Sequence, residues 1–249
     1  TSAICATVFA LYIDRNVKPY IDNINIDDLK LNLTSFVYAT DPKTGKEIEL
    51  EQLHDEENRI WVNYEQIPEH LINALIAVED SRFRTHKGVD WIRTIGATIN
   101  MIVPIRENFG GGSTITQQVI KNITGEDDVT ARRKIQEVLR ALEFERNTTK
   151  NDILELYLNI VYFGHGCNGV ETAAQTYFGK TVSQLTLAES ASIVGITKSP
   201  TYYNPLRHPD NNKERQELIL RLMYEQELID EASYNKAKAE KLKFNEASS

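Results

Sequence analysis

A chain of 249 residues with 41% hydrophobic side chains, 12 Gly and 7 Pro has the composition of a folded protein, which excludes a disordered or fibrous one, and its length suits one large domain or two small ones. The formal charge of −8 argues against a general nucleic-acid binder, so no nucleic-acid partner is expected, although the charge is uneven: 15 Asp/Glu face 6 Lys/Arg in residues 1–80, and 21 face 22 in residues 81–249. Two cysteines, Cys5 and Cys167, with no Cys/His cluster, supply neither a disulfide framework nor a metal cage.

The first thirteen residues are uncharged and mostly apolar, too few to cross a bilayer, which needs about 20. A buried helix, the end of a transmembrane anchor and a signal-peptide remnant are the three readings, of which the anchor, over 1–13, is preferred. Residues 14–63 follow as a linker and β-containing entry region. Within it, 35–39 and 59–62 read as strands, with turn chemistry at 41–45. From Tyr64 the pattern turns helical. Pro68 suits a first turn, and Leu71, Leu75, Ile76 and Val78 make an apolar stripe running into Glu79. Residues 89–102 form a second helix, followed by a polar, glycine-rich link at 107–112. Asp127 and Asp128 can cap a helix in which Ile135, Val138, Leu139 and Leu142 mark the apolar stripe to about Arg146. Thr149 caps the next helix, where Ile153, Leu154, Tyr157 and Leu158 repeat at helical spacing, and further helices cover 186–196, 213–226 and 231–241. The fold class is mainly α, with a short β-hairpin element near the start.

Three stretches carry chemistry. Glu79 and Asp80 close an apolar helix, which brings a carboxylate to the edge of a hydrophobic core; desolvation there suits acid–base work, although a solvated helix end is the plainer reading. Gly110, Gly111 and Gly112 lead into Ser113, Thr114, Ile115, Thr116, Gln117 and Gln118. Glycines before hydroxyl residues at a helix start expose backbone N–H groups to an anion, and the two amides suit sugar hydroxyls or phosphate oxygens; a flexible linker with an ordinary cap is the alternative. Opposite the Ile135 stripe, Arg133, Glu137 and Arg140 share one helix face. They read either as a surface ion-pair row or as a carboxylate set among cations that grip a phosphate.

Taken in order, these stretches resemble the peptidoglycan glycosyltransferase domain, glycosyltransferase family 51, of class A penicillin-binding proteins and monofunctional transglycosylases. The pattern ED-x-x-F-x-x-H-x-G fits Glu79, Asp80, Phe83, His86 and Gly88; G-x-STITQQ fits residues 112–118, with Lys121 and Asn122 following. RK-x-x-E fits Arg133, Lys134 and Glu137, and K-x-x-IL-E-x-YLN fits Lys150, Ile153, Leu154, Glu155, Tyr157, Leu158 and Asn159. Gly166, Gly169, Ala173, Ala174 and Tyr177 to Lys180 fit a further stretch, and Lys198 falls where members carry Lys or Gln. In the fifth pattern, RR-x-x-VL, only the first arginine is kept, as Arg215, and that pattern is read as mainly structural.

The resemblance implies a lysozyme-like helical lobe plus a smaller membrane-proximal jaw, with the domain at 64–245, the jaw roughly at 95–125, and a membrane-contacting segment (or, alternatively, a buried loop) at 101–109. It implies polymerisation of lipid II into β-1,4 glycan strands, with inversion and release of undecaprenyl pyrophosphate. Glu79 is then the general base. Arg133, Lys134 and Lys198 meet the pyrophosphate, while Glu137 organises those cations or holds a divalent cation, Mg2+ or Mn2+. Asp80, Phe83, His86, Ser113, Thr114, Thr116, Gln117, Gln118, Lys121 and Asn159 complete the substrate-binding set. The partners implied are lipid II, the growing lipid-linked glycan, the membrane surface, and other cell-wall synthesis and division proteins. The location implied is the extracytoplasmic face of a bacterial cytoplasmic membrane, behind a single-pass anchor. A lysozyme-like enzyme that cleaves peptidoglycan, and an inactive cell-wall scaffold, are the competing readings.

Overall fold

The computed structural model describes residues 7–8, 10–12, 14–15, 35–40, 47–53, 59–102, 112–125 and 130–245, with the backbone alone at 35–40, 47–53, 97–102 and 131–132. The turn expected at 41–45, residues 103–109 of the expected membrane-contacting segment, residues 107–111 of the glycine-rich link, and the caps Asp127 and Asp128 lie outside these residues. The described chain is mainly helical, as its apolar periodicity predicts, and none of its helices is long and apolar enough to cross a membrane. Strands β1 (Ser35–Thr40) and β2 (Glu47–Leu53) pair antiparallel, with Ser35 opposite Leu53, Thr40 opposite Glu47, and a bulge between Val37 and Tyr38.

The strand read at 59–62 is not formed. Arg59 makes a single bridge to Asn168, and the backbone beyond it bonds to side chains instead of to a neighbouring strand. Ile60 N donates to Thr172 Oγ1 at 3.2 Å and Val62 N to Asn159 Oδ1 at 2.9 Å, while Asn159 Nδ2 returns a bond to Val62 O at 2.8 Å. Glu155 takes Trp61 Nε1 at 3.1 Å and Tyr64 N at 2.8 Å. The β-like alternation of this segment therefore reflects an extended chain whose Ile60, Val62 and Tyr64 backbone groups meet polar side chains instead of a strand.

Nine helices carry the described fold: α1 (Glu69–Glu79), α2 (Trp91–Ile102), α3 (Ile115–Thr124), α4 (Ala131–Asn147), α5 (Lys150–Ile160), α6 (Val170–Phe178), α7 (Leu187–Ile196), α8 (Pro209–Glu225) and α9 (Glu231–Ala239). Their starts follow local chemistry. Thr114, Thr130, Thr149, Thr186 and Asp230 accept backbone N–H groups as N-caps, so the cap of α4 is Thr130, not Asp127 or Asp128. Pro209 occupies the first turn of α8, which begins four residues before the expected Lys213.

Helices α5 and α7 form the centre. From Ile153 to Asn159 every residue of α5 is buried, and α7 is buried from Ala188 to Ile196. A helix apolar or small on all sides belongs inside. The small residues Ala188, Ser190, Ala191, Ser192 and Gly195 leave α7 narrow, and α1 and α8 both pack against it. Leu71, Leu75 and Ile76 of α1 are buried there, as their spacing predicts. Helix α3 packs on α4 and α5.

Candidate active site

The buried stripe of α1 fixes where its last residue emerges. Glu79 has a side chain 16% exposed, and its backbone carbonyl accepts a bond from the Arg93 guanidinium on α2. Gln118 Nε2 donates to Glu79 Oε2 at 3.1 Å, and Tyr157 Oη donates to Gln118 Oε1 at 3.3 Å. The phenol thereby fixes which way the amide points. Burial, and then the nearby charge of Glu79, push the Tyr157 phenol up, so it stays a neutral donor.

A second carboxylate, Glu137, sits on α4 with 5% of its surface exposed. It is paired with Lys134 one turn earlier, lies 3.3 Å from Arg133, and accepts Gln117 Nε2 at 3.0 Å. Lys134 Nζ also donates to Ser113 Oγ at 2.8 Å, which links the cation to the start of α3. Of the stripe expected on α4, Val138, Leu139 and Leu142 are half-buried against the core, whereas Ile135 is 57% exposed and Glu137, Arg140, Ala141 and Phe144 are buried. Glu137 can turn inward because Gln117 of α3 donates to it.

Gln117 and Gln118 are consecutive, yet they serve different carboxylates. Asp80 secures their helix from a third side: its Oδ2 accepts Ile115 N at 3.0 Å and lies 2.9 Å from His86 Nε2. His86 Nδ1 in turn lies 3.9 Å from Glu145, which also takes Thr116 Oγ1 at 2.5 Å and Lys150 Nζ at 2.6 Å. Lys150 stands 4.3 Å above the Phe83 ring, and burial pulls its ammonium below the ordinary lysine range despite the opposing pull of Glu145. Thr114 Oγ1 donates to Gly88 O at 2.6 Å. At Gly88, φ is +89°, and an added Cβ would lie 2.5 Å from the Ala141 carbonyl oxygen, so the loop passes α4 too closely for any side chain.

The site residues expected from sequence thus divide. Glu79, Gln118, Ser113, Arg133 and Lys134 gather with Glu137 around the start of α3. Asp80, Phe83, Thr114, Thr116, Gln117 and Asn159 are fully buried, and His86 nearly so. They bond to protein groups, and Asn159 in particular meets Val62 and Glu155. Lys121 and Lys198 are exposed, and Lys198 makes no hydrogen bond or ion pair among the described residues. Sequence reading did not place Glu145, Tyr157, Arg93 or Lys150 in the site. Lys150 and Tyr157 had a usable signal, since both fall in the pattern that runs from Lys150 to Asn159.

Beside His86 runs an open groove of about 510 Å³, whose lining includes Arg82 paired with Asp90, Lys87, and the apolar Val89, Trp91, Ile92 and Leu142. Among the described residues no three His, Cys, Asp or Glu side chains gather as a metal cage. The surroundings of Glu137, namely Lys134, Arg133 and Gln117, suit an anion better than a second cation.

The sequence pattern of the transglycosylase family matches residues 46–224. Penicillin-binding protein 1A/1B of Bacillus subtilis is 40% identical over 87% of this chain and 23% of its own, and penicillin-binding protein 1A of Escherichia coli is 37% identical over 96% and 27%. The chain therefore spans about a quarter of the length of these relatives. A crystal structure of penicillin-binding protein 1A from Haemophilus influenzae aligns over 85% of this chain and 21% of that one, at 25% identity and a TM-score of 0.46.

Proposed function

Because this chain belongs to the transglycosylase family, we propose that it polymerises lipid II into β-1,4 peptidoglycan strands. The observation that carries this reading is the coupling of two carboxylates of unlike surroundings through adjacent glutamines: Glu79 partnered by an amide, Glu137 among cations. An inverting displacement at an anomeric carbon needs both kinds of group.

The acceptor 4-hydroxyl attacks the donor anomeric carbon while Glu79 takes its proton. The bond from that carbon to the pyrophosphate oxygen breaks, and undecaprenyl pyrophosphate leaves with the electron pair. Glu79 is the better base of the two because, among the described residues, no cation lies closer to its carboxylate than Arg215, 4.0 Å away. Lys134 and Arg133 neutralise the leaving pyrophosphate, with Ser113 and Glu137 holding the lysine; such stabilisation is commonly worth about 3 kcal/mol of barrier per group. Lys121 and Lys198, exposed and on separate elements, are further cations for the same charge. The cleft of a lysozyme-like lobe and a smaller jaw remain the architecture this reading implies. Trp91, Ile92 and Ile95, exposed by 53%, 72% and 57% at the start of α2, supply apolar surface for contact with the extracytoplasmic membrane face, where the lipid tails of donor and acceptor reside. The penicillin-binding names of the relatives favour synthesis over cleavage.

Glu79→Gln keeps the bond to Gln118 within reach and removes the base. It should lower lipid II polymerisation by roughly 100-fold or more while leaving circular dichroism and thermal unfolding near wild type. Turnover close to wild type would remove Glu79 from the role, and cleavage of preformed glycan by the wild-type chain would favour the hydrolytic alternative.

A further inference from the structure

Arg215 comes from the sequence stretch read as structural, yet its guanidinium NH2 lies 4.0 Å from Glu79 Oε1. Both side chains are sheltered, 13% and 16% exposed, so their attraction is less screened than that of a surface pair. Three features aim the arginine. Its stem crosses α7 at Gly195, where an added Cβ would lie 3.0 Å from Arg215 Cγ, so the glycine opens the path. Its guanidinium carbon stands 5.8 Å from the centre of the Tyr203 ring, which supports the head from another side. Helix α8 is itself fastened to α1, because Gln226 Nε2 donates to Ala77 O at 3.0 Å, two residues before Glu79. Among the described residues Glu79 is the carboxylate this guanidinium reaches.

We propose that Arg215 is a positioning residue for the base, fixing the direction of the Glu79 carboxylate together with Gln118. The inference rests on the assignment of Glu79 as base. The groups facing Glu79 are Arg215 from α8, the amide of Gln118 from α3, the neutral phenol of Tyr157 behind that amide, and Arg93 from α2 at the backbone carbonyl. Among the described residues Arg215 is thus the cation set against the carboxylate itself.

The experiment pairs Arg215→Gln and Arg215→Met with Arg215→Lys; the Met variant keeps an unbranched stem across Gly195. In the uncharged variants kcat for lipid II polymerisation should fall roughly 10- to 100-fold with KM within a factor of about three. Arg215→Lys should restore part of kcat. The carboxyl-carbon NMR signal of Glu79 should differ between the wild type and Arg215→Met, which reads the contact without any turnover. If the wild-type chain polymerises nothing, the functional reading fails while this signal still decides the arginine. Folded variants with unchanged kcat and an unmoved Glu79 signal overturn the proposal, as does loss of the folded state in both uncharged variants.

Discussion

Gln117 and Gln118 act apart because successive side chains on a helix diverge by about 100°. Gln117 is fully buried, and besides Glu137 it accepts the Thr114 backbone N–H at 3.0 Å, closing the cap of α3. Gln118 is only half-buried and ends on Glu79. Substitutions should therefore separate. Gln117→Ala strands the buried Thr114 N–H and removes one partner of Glu137, and should lower stability by about 1–3 kcal/mol in denaturant unfolding. Gln118→Ala should leave stability within about 1 kcal/mol but reduce kcat, and comparable unfolding midpoints for the two variants would contradict the division. The identities of both residues were plain in the sequence, and their distinct partners were not, because spacing along one helix says nothing about the carboxylate each side meets. The same limit explains α4. The periodicity of Arg133, Glu137 and Arg140 is real, but whether a charged face turns outward depends on what packs against it, and here that is another polar helix end.

Among the elements, α2 shows how one side chain sets a helix start. Asp90 precedes Trp91; its Oδ1 accepts Arg93 N at 3.0 Å, and both carboxylate oxygens meet Arg82. Burial pushes this carboxyl up, but the Arg93 N–H and the Arg82 guanidinium outweigh it and leave it below its ordinary value. A carboxyl depressed in the folded state contributes stability above its unfolded pKa of about 3.9 and loses it as pH falls through the lower folded value. Asp90→Asn should thus cost about 1 kcal/mol at pH 7, and the difference from wild type should shrink below about pH 4 in chemical denaturation measured across pH. The helices were legible because long apolar stripes repeat at 3.6 residues. The segment 59–62 was not, because alternation records an extended chain without saying whether its partners are a strand or side chains.

At the scale of the molecule, α5 joins the entry segment to the core. Asn159 bonds to both backbone groups of Val62, Glu155 holds Trp61 and Tyr64, and Tyr157 reaches Gln118 from the same helix. A sequence pattern that reads as one more substrate motif is thus a clamp on one side and a support for the base on the other. Asn159→Ala leaves the buried N–H and carbonyl of Val62 without partners, at a cost of about 2–3 kcal/mol. Amide exchange should quicken at residues 60–64 before it does in α7, and uniform protection loss across the core would argue against a local clamp. Residue order along the chain made the family resemblance readable, but the convergence of α1, α3, α4, α5 and α8 on one place is a property of packing alone.

The N-terminal turn of α3 is bonded at Ile115 to Asp80, at Gln117 to Glu137 and at Gln118 to Glu79. Both carboxylates therefore share one rigid mount, and a tilt of that turn displaces them jointly. Genetic effects at the two positions are expected to be epistatic: a change that repairs one geometry alters the other, and double-mutant cycles across Glu79 and Glu137 should depart from additivity although no bond joins them directly. Such a site can change through substitutions that move the whole mount, and only narrowly through those that adjust one acid at a time.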